Sequence, residues 1–273
     1  MRMNNRYNRP EVKQVTKQWV KENCKNVTER DLELLKVIHQ HRILRRDQIQ
    51  RLYPRFPSTD FLNKRLKMLY DKHIIDRVYP PIGIGKGSSK QHVCLDRAGV
   101  ILLGLDSYNK PISYHKGQKI LPLGWEHRVA LNEYECRIRE FCRSIGARVV
   151  YYKTEKPYAY NDTRIIPDIT CVISHMNKGY SFFIEVDLGT EDLPYLKKKI
   201  DSYMSYKVSN QWHKEKWSRV FKSPKFPKVL VFTEDGRIKR QLSLQEYAKD
   251  VPIKSGIDFH GNLENIMKMI IKG

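Results

Sequence analysis

The chain has 273 residues, 40% of them hydrophobic, which is enough to build two cores. A formal charge of +21 makes a polyanion the expected partner, nucleic acid ahead of an anionic membrane surface. Five cysteines without a CxxC pair, no secretory leader pattern and no apolar run of spanning length argue against a disulfide scaffold, a zinc ribbon and a membrane protein. The expectation is a reduced, soluble, cytoplasmic protein.

Residues 1–27 are polar and basic, with weak helical periodicity around Val12, Val15, Trp19 and Val20, and read as a basic N-terminal arm or a frayed first helix. From Thr28 the pattern sharpens. "TERDLELLKVIHQHR" pairs a Thr N-cap with an acid three residues later, followed by Leu32, Leu35 and Ile38 at helical spacing. "LRRDQIQRLY" is a second, shorter helix ended by Pro54. "STDFLNKRLKMLYDKHII" is a third, with Leu62, Leu66 and Leu69 as its apolar stripe and Lys64, Arg65 and Lys67 away from it. Two β-runs follow, joined by a Gly/Lys/Ser loop that carries Lys86 and Lys90, and Asp96 can cap "RAGVILLGL".

Three helices and then a hairpin with a basic tip is the order of a winged helix-turn-helix. Its third helix fits the major groove and its hairpin tip reaches phosphates. Residues 28–106 are therefore assigned as a DNA-binding domain, with protein contact alone as the competing use. Gly83, Gly85 and Gly87 do not make a dinucleotide fingerprint, because strand-like "KQHVCL" follows where a helix would have to open. Residues 107–124, punctuated by Pro and Gly, read as a linker.

Residues 125–273 form a second domain in the order α-β-β-β-α-β-α. It starts at "WEHRVALNEYECRIREFCRS" and ends at "NLENIMKMIIKG". Within it "SHMNKG" is short, so the runs on either side form an antiparallel hairpin. If 173 pairs with 180, then 168 opposes 185, and the Cβ atoms of Asp168 and Glu185 lie about 5 Å apart. Alternation places Ile169, Cys171, Ile173, Phe182, Ile184 and Val186 on one apolar face, with Asp168, Glu185 and Asp187 together on the other. Converging carboxylates repel. A hard divalent cation, Mg2+ or Mn2+, relieves that and can activate water at a phosphodiester; solvated acids, or an acid paired with a nearby Lys, would do so without a metal.

Pro167-Asp168 and Glu185-Val186-Asp187 resemble the PD-(D/E)XK nuclease superfamily, whose core is α-β-β-β-α-β, except that Asp187 stands where that superfamily has Lys. The chain also resembles the replication-relaxation family of plasmids and mobile elements. That resemblance rests on the helix opening at His127 with Ala130-Leu131-Asn132, on "PD", on the run Glu185 to Thr190, and on Lys199 with Tyr203. It implies a bacterial, double-stranded-DNA-binding protein of plasmid replication or transfer, nicking or relaxing DNA, with a relaxase or replisome protein as a further partner and a homodimer as a possible assembly.

The resemblance implies catalytic roles for Asp168, Glu185 and Asp187, with Lys199, or second Lys153, in place of the missing lysine, and for Tyr203, Glu126 and His127. His127 reads equally as a core histidine. In "KVSNQWHKEKWSRVFKSPKFPK", Lys214, Lys216, Trp217 and Arg219 suit phosphate contact and base stacking, or else the aromatics are core. Two readings of function stay open: a metal-dependent nicking endonuclease, or a non-catalytic replication or regulatory factor on a nuclease-like fold.

Overall fold

The computed structural model describes residues 9–80, 90–115, 118–160, 163–189, 191–233, 246–247, 254–256 and 262–272. The chain divides into two compact units, 1–133 and 134–273.

The first unit contains α1 (Lys17–Asn23), α2 (Glu29–His41), β1 (Leu44–Arg45), α3 (Arg46–Leu52), α4 (Thr59–Asp71), β2 (Ile75–Val78), β3 (His92–Leu95), α5 (Arg97–Leu102), β4 (Ser113–His115) and β5 (Gln118–Ile120). It also holds the first part of α6 (Trp125–Ser144). Thr28 starts α2 through a capping box: its backbone N–H donates to Asp31 Oδ2 at 2.7 Å and its hydroxyl accepts from the Asp31 N–H. Ser58 caps α4 and Asp96 caps α5 without a capping box, their side-chain oxygens accepting from the Phe61 and Arg97 N–H groups. Leu34, Leu35 and Ile38 of α2 meet Ile49 of α3, Leu62, Leu66 and Leu69 of α4, and Val93 and Leu95 of β3 in one buried cluster. The three strands pair antiparallel in the order β1-β3-β2. Gly99 is required here, since a Cβ would collide with the Ile74 carbonyl oxygen.

The stretch 107–124, expected as a linker, carries the β4–β5 ribbon, and its side chains are drawn onto Asp76 of β2. Asp76 is fully buried and receives Lys110 Nζ at 2.6 Å, Tyr114 Oη at 3.0 Å and the Lys119 ammonium. A buried charge without such partners would be costly, which is why this stretch is folded rather than free. All five cysteines are buried thiols. No described helix is long and apolar enough to cross a membrane.

The second unit contains the rest of α6, then β6 (Arg148–Thr154), β7 (Tyr158–Tyr160), β8 (Thr163–Ile165), β9 (Ile169–His175), β10 (Lys178–Asp187), α7 (Leu193–Val208), two 3-10 turns (Gln211–Lys214 and Ser218–Val220), β11 (Lys228–Thr233), β12 (Lys254–Gly256) and α8 (Asn262–Lys272). Five strands run in the order β12-β11-β10-β9-β6. Strands β12, β11 and β10 are parallel neighbours, and β9 and β6 are antiparallel to theirs. The expected α-β-β-β-α-β-α order is present, with two additions: a β7–β8 ribbon and the edge strand β12. The run "RIIPDITCVI" is not one strand. β8 pairs with β7, and β9 resumes only after Pro167, which has no N–H to give to a ladder.

The hairpin register is the expected one. Ile184 pairs with Ile169, Phe182 with Cys171 and Lys178 with His175. A two-residue turn closes it, with both Met176 (φ 47°) and Asn177 (φ 59°) left-handed, as a type I′ turn needs.

Candidate functional site

The acids of β9 and β10 do share one face, but that face is not polar. Val172 and Phe183 lie on it, and with Val229 and Val231 of β11 they pack under Leu196, Ile200 and Tyr203 of α7. Glu185 is 2% exposed and Asp187 3%. The expectation of a polar face is thus corrected: period-two alternation sorts side chains into two faces but does not say which face a helix will cover. Both faces are covered, the other one bringing Phe232 against Tyr134 of α6.

Three elements converge on Glu185. β10 delivers its carboxylate through the sheet. Asp168 sits just before β9, its Oδ2 accepting the Val186 N–H at 2.7 Å and its carbonyl accepting from Glu155 N–H at 3.0 Å. α7 starts at an Asp192 N-cap with Pro194 in its first turn, and projects Lys199 and Tyr203, one turn apart, towards the sheet. Lys199 Nζ donates to Glu185 Oε2 at 3.0 Å, and the Tyr203 hydroxyl donates to Glu185 Oε1. Lys199 also holds Glu191, at 2.8 Å and 3.1 Å to its two oxygens. These two α7 side chains, with Leu196, Ile200, Val229 and Val231, line a small recess beside Glu185.

Electrostatics set the character of the site. Burial and then the neighbouring Asp168 push the Glu185 carboxyl up to about 8, against the pull of Lys199 and Tyr203. Burial disfavours the Lys199 charge, yet Glu185, Asp168 and Glu191 outweigh it and raise its pKa. Tyr203 is held far above the usual phenol range by burial and by Glu185, so it serves as a hydrogen-bond donor and not as an attacking phenolate. The Lys199 ammonium thus lies within reach of Glu185, Glu191 and Asp168.

Lys199, expected from its place beside Tyr203 and the stripe of Leu196 and Ile200, lies on Glu185, while Lys153 is exposed on β6. Asp187 is turned to the loop, its Oδ1 accepting the Gly189 N–H at 2.8 Å. Glu126 is exposed and His127 half-buried, both within the first unit. Asn132, of the motif that follows His127, is a structural residue: its amide donates to the Ile43 carbonyl at 2.7 Å. Glu191 was missed; its one sequence signal is its place just ahead of the Asp192 cap, one short loop from Glu185. Thr190 and Lys86 lie outside the described residues.

Of the candidate DNA contacts, Lys64 and Lys90 are exposed, and Lys67 is exposed with an i,i+4 partner in Asp71 at 2.5 Å. Arg65 is committed to the fold, its Nε on Asp31 Oδ1 at 2.7 Å and its Nη2 on the Asn26 carbonyl at 2.9 Å. Lys214, Lys216 and Arg219 are exposed. Trp217 is not a stacking surface: it is fully buried against Phe183 and Tyr158, with ring centroids 5.5 Å and 6.5 Å away. The aromatic spacing that suited base stacking is explained by this core.

Residues 35–219 match the family described as replication-relaxation. The chain belongs to that family. No curated protein matches it. Two solved structures are similar to it. Restriction endonuclease FokI is 13% identical, with 85% of this chain and 43% of that chain covered at a TM-score of 0.29. FokI bound to DNA is 11% identical, with 85% and 44% covered at a TM-score of 0.28. The chain spans less than half the length of FokI.

Two hard carboxylates on neighbouring segments, Asp168 and Glu185, are the donor chemistry that Mg2+ or Mn2+ takes. Among the described residues no three His, Cys, Asp or Glu side chains group around one ion. The fit is therefore to a two-carboxylate site completed by waters or phosphate oxygens. Asp187, offered as a third ligand, is not needed for it.

Proposed function

We propose that this family member binds double-stranded DNA in plasmid or mobile-element replication or transfer, and that Asp168, Glu185 and Lys199 form a metal-dependent strand-nicking site of PD-(D/E)XK type. The observation that carries this reading is the ammonium of Lys199 on Glu185, which restores from α7 the cation missing at Asp187. Asp168 and Glu185 would hold the ion, which when bound supplies the charge that polarises a phosphodiester and lowers the pKa of a water. Lys199 orients Glu185 and offsets negative charge developing at phosphate, and Tyr203 fixes the other carboxylate oxygen. The first unit, read as a winged helix-turn-helix, selects the duplex with Lys64 and Lys67 on α4 and Lys90 at the hairpin.

Supercoiled plasmid incubated with the protein and Mg2+ or Mn2+ should give open circles, and Asp168→Ala should abolish them. Equal nicking by that variant would overturn the site. A second reading, a DNA-binding factor without cleavage, is favoured by one observation: both Glu185 oxygens are already engaged in a nearly closed environment. It predicts salt-sensitive duplex binding with no open circles under any divalent ion.

A further inference from the structure

The segment 207–228 has a construction unlike the rest of the second unit. It carries seven Lys and Arg residues (Lys207, Lys214, Lys216, Arg219, Lys222, Lys225 and Lys228), and every one is exposed. Its one acid, Glu215, is turned to Lys156 Nζ at 3.3 Å. Beneath the cations lies a fixed aromatic floor. Trp212 and Trp217 stack with centroids 6.0 Å apart, and Phe226 stands edge-on to Trp212 at 5.7 Å. Local hydrogen bonds fix the two 3-10 turns. The Ser218 hydroxyl donates to the His213 carbonyl at 2.7 Å, and Trp212 Nε1 donates to the Lys207 carbonyl at 3.2 Å. The segment is a rigid base with a single-sign surface.

That surface can attract phosphates, and its tryptophans, being buried, are not platforms for unstacked bases. Cations on a preordered base lose little conformational freedom on binding, so they suit a backbone contact that is indifferent to sequence. Its place relative to Glu185 is set by the sheet. Phe221 packs on Gly179, where a Cβ would collide with its ring, and Lys228 pairs with Phe182. Trp217, between Lys216 and Arg219, packs on Phe183, two residues from Glu185 on the same face of β10.

We infer that segment 207–228 is a preformed clamp for the phosphate backbone of duplex DNA, built beside the strand that carries Glu185. The inference rests on the DNA-binding reading above but not on cleavage.

Its test is binding of the full chain to short labelled duplexes of unrelated sequence over a salt series without divalent metal. The comparison is with the triple variant Lys214→Gln, Lys216→Gln, Arg219→Gln, checked for native circular dichroism. Each lost phosphate contact removes about 0.9 from the slope of log K against log salt. The variant should therefore lose about two to three from that slope, and about tenfold or more in affinity, equally on every duplex. An unchanged slope, a loss confined to one sequence, or tighter binding of single strands than of duplex by the native chain would each overturn it. The plasmid-nicking assay with Mg2+ is run beside it on the same proteins. A failed clamp with nicking intact is thereby distinguished from a failed nicking site with the clamp intact.

Discussion

Asp76 in the first unit and Glu185 in the second are both buried carboxylates, 0% and 2% exposed, and they are treated in opposite ways. Burial opposes the charge of Asp76, but Lys110 and Lys119 outweigh it and bring its pKa down to about 2. Glu185 shares its one ammonium with Glu191 and has Asp168 beside it, and it rises to about 8. A carboxylate with a surplus of cations is a structural node. One whose pKa is raised by burial and a neighbouring acid is a candidate for the metal site proposed above.

The largest effect should come from breaking the surplus. Asp76→Ala removes the shared acid of Lys110 and Lys119, leaving the buried end of Lys119 with only neutral partners, and should cost about 3 kcal/mol, read as a lower urea midpoint for the first unit. The same change at a node without buried partners would cost far less, so a loss under about 1 kcal/mol would contradict this account.

Titration sharpens the contrast, because the two acids have opposite signs. The folded pKa of Asp76 lies below its ordinary value, so its contribution is complete above about 4 and is lost as pH falls towards 2. The folded pKa of Glu185 lies above its ordinary value, so the folded state holds the extra proton, and its contribution is lost as pH rises from about 4.5 through 8. Hydrogen exchange measured by unit should show the first weakening in acid and the second weakening towards alkali, by a few kcal/mol at about 1.4 per pKa unit. Glu185→Gln should flatten the alkaline limb alone.

A divalent ion should act on one unit only. Mg2+ or Mn2+ at tenfold its dissociation constant should stabilise the second unit by about 1.4 kcal/mol and leave the first unchanged. Asp168→Ala should remove that gain, and a gain that survives would place the ion elsewhere. Smallest is Tyr203→Phe, which takes one donor from Glu185 and should cost about 1 kcal/mol in a thermal melt.

Much of this is legible in the sequence. The caps at Thr28 and Asp96, the apolar stripe of α4 and the pairing of 173 with 180 that sets β9 against β10 are local, and short-range rules determine them. What was not legible depends on which element covers which. Alternation put Asp168 and Glu185 on one face, but not that α7 would lie over it with Lys199. The interleaved tryptophans looked like stacking surfaces until Phe183 and Tyr158 supplied their core. Nothing in "SYNKPISYHKGQKILPLG" alone shows that Asp76, some thirty residues earlier, would draw its lysines into a ribbon.

The turn at Met176 and Asn177 has a consequence for how this chain can change length. Because it is two residues long and closes the ladder directly, one residue gained or lost there would shift β10 by a single step. Glu185 would then face α6, and Ile184 would stand under Lys199. Substitutions at these two positions should be tolerated wherever a left-handed backbone is, while insertions and deletions should not. The two-residue turn is in effect a ruler, and the chemistry of the site is written in its length.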